Sequence, residues 1–324
     1  MLVCVVVPVR DDGDLLDACL RSLARQTRLP DEVVVVDNGS TDDTVEVARR
    51  YGARVVTESE VGIAAAASTG YDSTTADLIG RVDADSVLPR HWVAELVRTF
   101  EQDADVLAVS TNARFYDAPV LAGTVLSTFY VGAYHLIVGA GLAHWPLFGS
   151  TMMMRRSAWS RVRDVVHRHD RMLHDDMDLA VHLGDLQLAG QGRIAYRHDL
   201  VTGISARPLS LRNGPWLRTY RALHSFTVHG VDGRPWWRWL RADPAGVFRR
   251  LGLTHEVAAV DVLSGGGHLP VEVSGGSADD AADYAVDASA GAADDAAGAR
   301  EAPARSRPAP PRLFRRGGRR RVTR

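Results

Sequence analysis

Between residues 3 and 110 the chain alternates short apolar runs with segments of helical periodicity. That alternation restricts the fold more than any other feature. Residues 3–7 are continuously apolar and precede Pro8, the pattern of a strand buried on both faces and ended by proline. Leu15, Leu16, Cys19, Leu20 and Leu23 then recur at helical spacing, with Asp12 or Asp14 as cap. Residues 32–36, 54–57, 78–82 and 106–110 supply further strands. Between them fall a helix capped by Ser40 or Thr41 and ending near Gly52, a small-residue helix over 62–70, and a helix opened by Pro89. Trp92, Leu96 and Phe100 share one face of the last. The alternation predicts an α/β domain with a mostly parallel central sheet. In such sheets ligands bind beyond the carboxyl ends of the strands. Asp37 closes the second strand and Asp83-Ala84-Asp85 the fourth, so both are expected to line one crevice.

After Arg155 the pattern loosens. Residues 157–166 and 175–188 are expected to be helical, and 193–196 and 200–204 to be strands. Residues 216–240 are aromatic-rich and basic and predict a small helical extension. Beyond Ser264 the chain is Gly, Ala, Asp and Pro, acidic over 279–295 and basic over 305–324, a composition that predicts a disordered tail. Its basic end reads first as solvated, and second as a contact for phosphates. A formal net charge of −2 gives no global pull toward anionic polymers, so no specific nucleic-acid partner is expected.

Residues 118–154 contain no Asp, Glu or Arg. The stretch is long enough to span a bilayer but is diluted by Gly, Thr, Ser, Tyr and His135. It is expected to lie in or against the domain, touching a membrane surface rather than crossing it. Cys4 and Cys19 fit no CxxC pattern, and Met1 leads into an apolar strand without a basic leader. Both suit a reducing cytoplasm, with a peripheral place at the inner face of the plasma membrane as the alternative.

Three acidic groups carry candidate chemistry. Asp83 and Asp85 are two apart in extended chain and can face one side. Their oxygens suit a hard cation, Mg²⁺ or Mn²⁺, which in turn binds phosphate. Asp37, followed by a Gly-Ser-Thr turn, can accept hydrogen bonds from a base or ribose. Asp175, Asp176 and Asp178 crowd a helix start, where repulsion raises at least one pKa and suits a general base. His167, His169 and His174 lie nearby and are expected to border an acceptor pocket, with a zinc site as the less favoured alternative because no Cys accompanies them and their spacing fits no standard zinc pattern.

Taken together, Val5-Val6-Val7-Pro8-Val9-Arg10, Leu20-Arg21-Ser22-Leu23-Ala24-Arg25-Gln26, Val36-Asp37-Asn38-Gly39-Ser40-Thr41-Asp42, Asp83-Ala84-Asp85 and Asp175-Asp176-Met177-Asp178-Leu179 resemble, in that order, the family 2 glycosyltransferases of GT-A fold. The likeness covers about residues 1–210. It implies a domain over 1–215, with a nucleotide-binding half (1–110) and an acceptor half (111–215), then the helical extension (216–263) and the tail (264–324). It implies an inverting transfer of one sugar from a UDP-, GDP- or dTDP-sugar to an acceptor hydroxyl, which the uncharged segment and the Arg tail suggest is lipid-linked or membrane-proximal. Pro8, Val9, Arg10 and Asp37 would hold the donor nucleoside, Asp83 the ribose and metal, and Asp85 the metal. Asp176 would be the catalytic base, with Asp175 in place of the family's Glu. Gly149, Ser150 and His174 would lie on the acceptor side, and Arg207 near the leaving diphosphate.

Two departures from that pattern matter. Ala67 and Ser68 stand where the family commonly has Arg-Asn, so another Arg must substitute. Trp216-Leu217-Arg218 is at best a remnant of Gln-x-x-Arg-Trp, which favours single transfer over processive synthesis. Two rivals remain: a non-catalytic sugar-nucleotide binder, and a nucleotidyltransferase. The latter needs a basic Gly-rich loop where this chain has the acidic Arg10-Asp11-Asp12-Gly13-Asp14.

Overall fold

The computed structural model describes residues 1–118, 120–207 and 215–242. The expected tail over 264–324, and the extension beyond residue 242, lie outside them. In chain order the elements are β1 (Val3–Val9), α1 (Gly13–Ala24), β2 (Glu32–Asp37), α2 (Thr44–Arg50), β3 (Arg54–Thr57), α3 (Ile63–Asp72), β4 (Leu78–Val82) and α4 (Trp92–Gln102). There follow β5 (Val106–Phe115), α5 (Val120–Leu142), β6 (Thr151–Arg155), α6 (Arg156–Val162), α7 (Asp175–Leu188), β7 (Arg193–Ile204), α8 (Pro215–Thr227) and α9 (Pro235–Arg241). The strands form one sheet in the order β3-β2-β1-β4-β6-β5-β7. All neighbours are parallel except β6, which is antiparallel to both β4 and β5. One core layer packs α1 and α4 on the sheet through Leu16, Leu20, Trp92 and Phe100. The other packs α3, α5, α6 and α7 through Ala66, Leu142, Trp159 and Leu183. Cys4 and Cys19 are buried and unpaired in these layers.

Several local expectations are corrected. Pro8 does not end β1, which continues to Val9. In a parallel ladder successive residues turn their peptide groups to alternate neighbours. Pro8 turns toward β4, whose pairing with β1 has already stopped at Val6↔Arg81, so no bond is lost. Ser40 and Thr41 do not cap α2, which starts at Thr44. They bracket Asp11 instead: the Asp11 N–H donates to Ser40 Oγ at 3.0 Å, and the Thr41 N–H donates to Asp11 Oδ1 at 2.6 Å. The two short strands expected over 193–204 are one strand, β7, with a register irregularity against β5. The family resemblance implies a strand over Phe148-Gly149-Ser150-Thr151; the strand formed, β6, begins only at Thr151 and runs through Met152, Met153 and Met154, which carry little strand preference of their own.

The small-residue helix α3 packs close to the sheet, as its composition implies. A methyl group on Gly70 would overlap the side chains of Val6 and Val36. Gly70→Ala is expected to destabilise by about 1–3 kcal/mol through overpacking, outweighing Ala's better helix propensity. A urea midpoint measurement checks this.

Helix α5 is long and apolar enough to cross a membrane over Val125–Leu142. One of its faces is nevertheless in the domain: Val131, His135, Val138 and Leu142 are buried. Phe129, Leu136 and Ile137, on the other face, are about 70% exposed. Helices α8 and α9 pack on α7 and α5 respectively. Arg238 of α9 is fully buried, bonding the Leu142 carbonyl at 2.9 Å and Asp185 at 3.1 Å.

Candidate active site

Because β1, β2 and β4 are parallel, Val9, Asp37 and Val82 end at one edge of the sheet. Antiparallel β6 enters from that same edge, with Thr151 paired to Val82, so Gly149 and Ser150 arrive beside Asp83. The first turn of α7 delivers Asp175 and Asp176 to the same lip.

Arg81 ties these groups together. Its side chain is only 3% exposed. Nη2 donates to Asp83 Oδ1 at 3.0 Å, and Nη1 lies 2.8 Å from Asp175 Oδ2. The second contact is an ion pair without hydrogen-bond alignment, and Nε likewise has no hydrogen-bond partner among the described residues. A side chain on Gly149 would overlap the guanidinium, so the glycine makes room for it. Ser150 Oγ donates to the other oxygen of Asp83 at 2.6 Å. Asp176 accepts two backbone N–H groups, from Gly149 at 2.9 Å and from Met177 at 2.8 Å, which fixes its orientation. Asp83, Asp175, Asp176, Gly149 and Ser150 therefore form one connected cluster.

Asp85 lies on its flank. Arg207 makes a bidentate contact with Asp12, at 2.8 Å for each nitrogen, and reaches Asp85 Oδ2 at 3.2 Å. Burial and the neighbouring Asp83 push the Asp85 carboxyl up to about 6, against the pull of Arg207. Burial also pushes Asp175 up; Arg81 opposes the rise, while Asp176 and Asp83 add to it. Carboxylates whose crowding penalises ionisation are the groups that a multivalent cation relieves. Their donor atoms are all oxygens, as Mg²⁺ and Mn²⁺ prefer.

On the β1–β2 side Asp37 is nearly buried and accepts the Ser40 N–H at 2.9 Å. Asn38 pins the crossing to α3 through the carbonyls of Glu58 and Glu60 and the N–H of Gly62. Pro8 and Val9 are buried, whereas Arg10 is exposed with its guanidinium beside Asp11. His174 occupies the N-cap position of α7, and its N–H donates to Ser225 Oγ at 2.7 Å.

Asp178 must be removed from the acidic group proposed as base. At about 100° per residue it stands roughly 200° from Asp176 around the helix. It faces away, toward His167, His182 and His229. His167 turns to Asp178, with Nδ1 at 2.7 Å from Oδ1, and His169 pairs with Glu60 at 2.6 Å. Sequence reasoning missed Arg81 and Asp12. The only sequence signal for Arg81 was a charge inside an otherwise apolar strand. Ala67 and Ser68 line a small cleft with Tyr71 and Asp175. The charge opposite Asp175 comes from β4 rather than from α3.

The sequence profile of Glycosyl transferase family 2 matches residues 4–162. The chain is 31% identical over 108 residues to the uncharacterized glycosyltransferase YibD of Escherichia coli, which covers 32% of this chain and 31% of that protein. It is 34% identical over 105 residues to an uncharacterized glycosyltransferase of Mycobacterium bovis, covering 32% and 46%. The chain thus spans about a third to a half of the length of these curated relatives. Among solved structures, a mannosyltransferase from Pyrobaculum calidifontis in complex with GDP-Man and Mn²⁺ superposes with a TM-score of 0.53 at 23% identity, covering 70% of this chain and 63% of that one. Residues 4–162, just under half of the chain, thus carry the sequence pattern of glycosyl transferase family 2, and the sheet has the GT-A architecture.

Proposed function

We propose that this protein transfers a single sugar, with inversion, from a nucleoside-diphosphate sugar to an acceptor hydroxyl. The observation that carries the reading is the gathering of Asp83, Asp175 and Asp176 at one lip of the sheet, bound together by Arg81, Gly149 and Ser150, with Asp85 on the flank beside Arg207. Asp37, with Pro8, Val9 and Arg10, would hold the donor nucleoside at the β1–β2 edge. Asp85 and Asp83 would hold Mg²⁺ or Mn²⁺, which when bound offsets the charge of the leaving diphosphate. Arg207, already beside Asp85, would turn from Asp12 to that diphosphate. Asp176, oriented by two backbone N–H groups, would take the proton of the acceptor hydroxyl as it attacks the anomeric carbon. Gly149, Ser150 and His174 would line the acceptor side. Arg81 would supply the buried cation that Ala67 and Ser68 do not.

The exposed face of α5, with Phe129, Leu136 and Ile137, supports a lipid-linked or membrane-proximal acceptor and a peripheral place at the inner face of the plasma membrane.

A thermal-shift screen of UDP, GDP and dTDP, with and without Mn²⁺, tests the donor site. One nucleotide is expected to stabilise selectively, by roughly 5–10 °C near 100-fold saturation, and only with the cation. In Asp85→Ala the cation-dependent part should vanish. No shift with any of the three under either condition would overturn the donor site. Selective nucleotide binding without Mn²⁺-dependent donor hydrolysis would point to a non-catalytic relative.

A further inference from the structure

We infer that His167, Asp178, His182 and His229 form a closed site for one divalent transition metal, with zinc the best match, on the side of α7 turned away from Asp176. Their candidate ligand atoms all lie within 4.8 Å of one another. Asp178 Oδ1 is central: it lies 2.7 Å from His167 Nδ1, 2.9 Å from His229 Nε2 and 3.6 Å from His182 Nε2. A tetrahedral ion with bonds of about 2.0–2.1 Å sets its ligand atoms about 3.3 Å apart, close to this spacing. Three nitrogens and one oxygen is a donor set that suits zinc, whereas Mg²⁺ and Mn²⁺ prefer oxygen.

Hydrogen bonding alone does not account for the cluster. His229 Nδ1 lies 2.8 Å from the Ser225 carbonyl oxygen, which can only accept. In the neutral ring Nδ1 therefore carries the proton, and Nε2, 2.9 Å from Asp178 Oδ1, is left as an unprotonated nitrogen that can ligate a cation. His229 Nε2 and His182 Nε2 are both buried and have no aligned hydrogen-bond partner among the described residues. The side chains of His229 and Asp178 are each only 4% exposed. A buried unprotonated nitrogen beside a buried carboxylate oxygen is a pair of acceptors with no proton shared between them, and a cation bound by both satisfies each. The Ser225 carbonyl then plays the supporting part typical of metal-bound imidazoles, holding the tautomer and the ring plane. His167, about one-third exposed, leaves a way in for the ion.

The four residues come from three places: the chain after α6, the helix α7, and the turn after α8. With four protein ligands and no open position, the ion would be structural. It would clamp α8 onto α7 behind Asp175 and Asp176, independently of whether those two carboxylates catalyse sugar transfer.

Full-length protein, purified without metal-affinity resin and incubated with zinc before desalting, is expected to retain about one zinc per chain by mass spectrometry. Cobalt should substitute and give the intense visible absorption of a tetrahedral centre. The double variant His182→Ala/His229→Ala should lose at least about ten-fold in zinc affinity. It should keep any Mn²⁺-dependent stabilisation by nucleotide, which separates this site from the acidic lip. Wild-type protein that retains no zinc, a cobalt spectrum that is not tetrahedral, or a folded double variant with unchanged zinc content would each overturn the assignment. The cobalt titration needs only the wild-type chain, so it decides even if the variant does not fold.

Discussion

Asp176→Asn is expected to cut turnover by about 10²- to 10⁴-fold, the contribution typical of a positioned general base. The affinity for the nucleoside diphosphate should stay within about two-fold, because an effect confined to the transition state appears in kcat and not in donor binding. The size of the effect follows from the position of Asp176. Its two oxygens accept the N–H groups of Gly149 and Met177, so the carboxylate is held by main chain at 2.9 and 2.8 Å. Asparagine keeps the shape and one acceptor oxygen but cannot take a proton from a hydroxyl. Steady-state kinetics beside calorimetric nucleotide binding separates the two quantities. Near-normal turnover in the variant would remove Asp176 from the mechanism. A parallel fall in nucleotide affinity would show instead that the loop at Gly149 had moved.

The second large effect concerns stability. Arg81→Met should destabilise the fold by about 3–5 kcal/mol, the usual cost of leaving a buried carboxylate without its partner. In a domain of this size that corresponds to a fall of roughly 6–20 °C in Tm. Met fills much of the same volume, so the loss reports charge rather than a cavity. Asp175, with a side chain 14% exposed, has Arg81 as its one ion-pair partner among the described residues, while Asp83 keeps the Ser150 hydroxyl. The double variant Arg81→Met/Asp175→Asn should therefore recover a substantial part of the loss, and thermal unfolding of the four proteins of the cycle measures the coupling. A single variant that melts with the wild type would mean that the ion pair contributes nothing net.

Much of this molecule was legible in its sequence. The alternation of apolar runs and helical periodicity marked the strands and helices of residues 3–110, because burial on both faces of a parallel sheet writes itself into consecutive residues. The start and end of α7 were read as they stand. Asp37, Asp83 and Asp85 were recognisable as strand-end carboxylates, since the position of a residue relative to its own strand is a local property. The errors arose where local preference met a distant partner. Pro8 stays in β1 because β4 has already stopped pairing there. The three methionines of β6 become a strand because a gap lies open between β4 and β5. Ser40 and Thr41 turn to Asp11 rather than to the helix they precede.

The sequence by itself determined the order of elements over residues 3–110, the end of the sheet where Asp37 and Asp83 gather, and the likeness to glycosyl transferase family 2. It did so because side-chain periodicity and strand-end position are set within a few residues. Only the tertiary structure decided which charges meet. Arg81 finds Asp83 two residues away but Asp175 ninety-four positions on, and Asp178 finds His229 fifty-one positions on while turning its back on Asp176. A buried charge must be compensated by whatever the packed chain brings within about 3 Å, and that partner is chosen by the way the layers stack, not by the residues beside it in the chain.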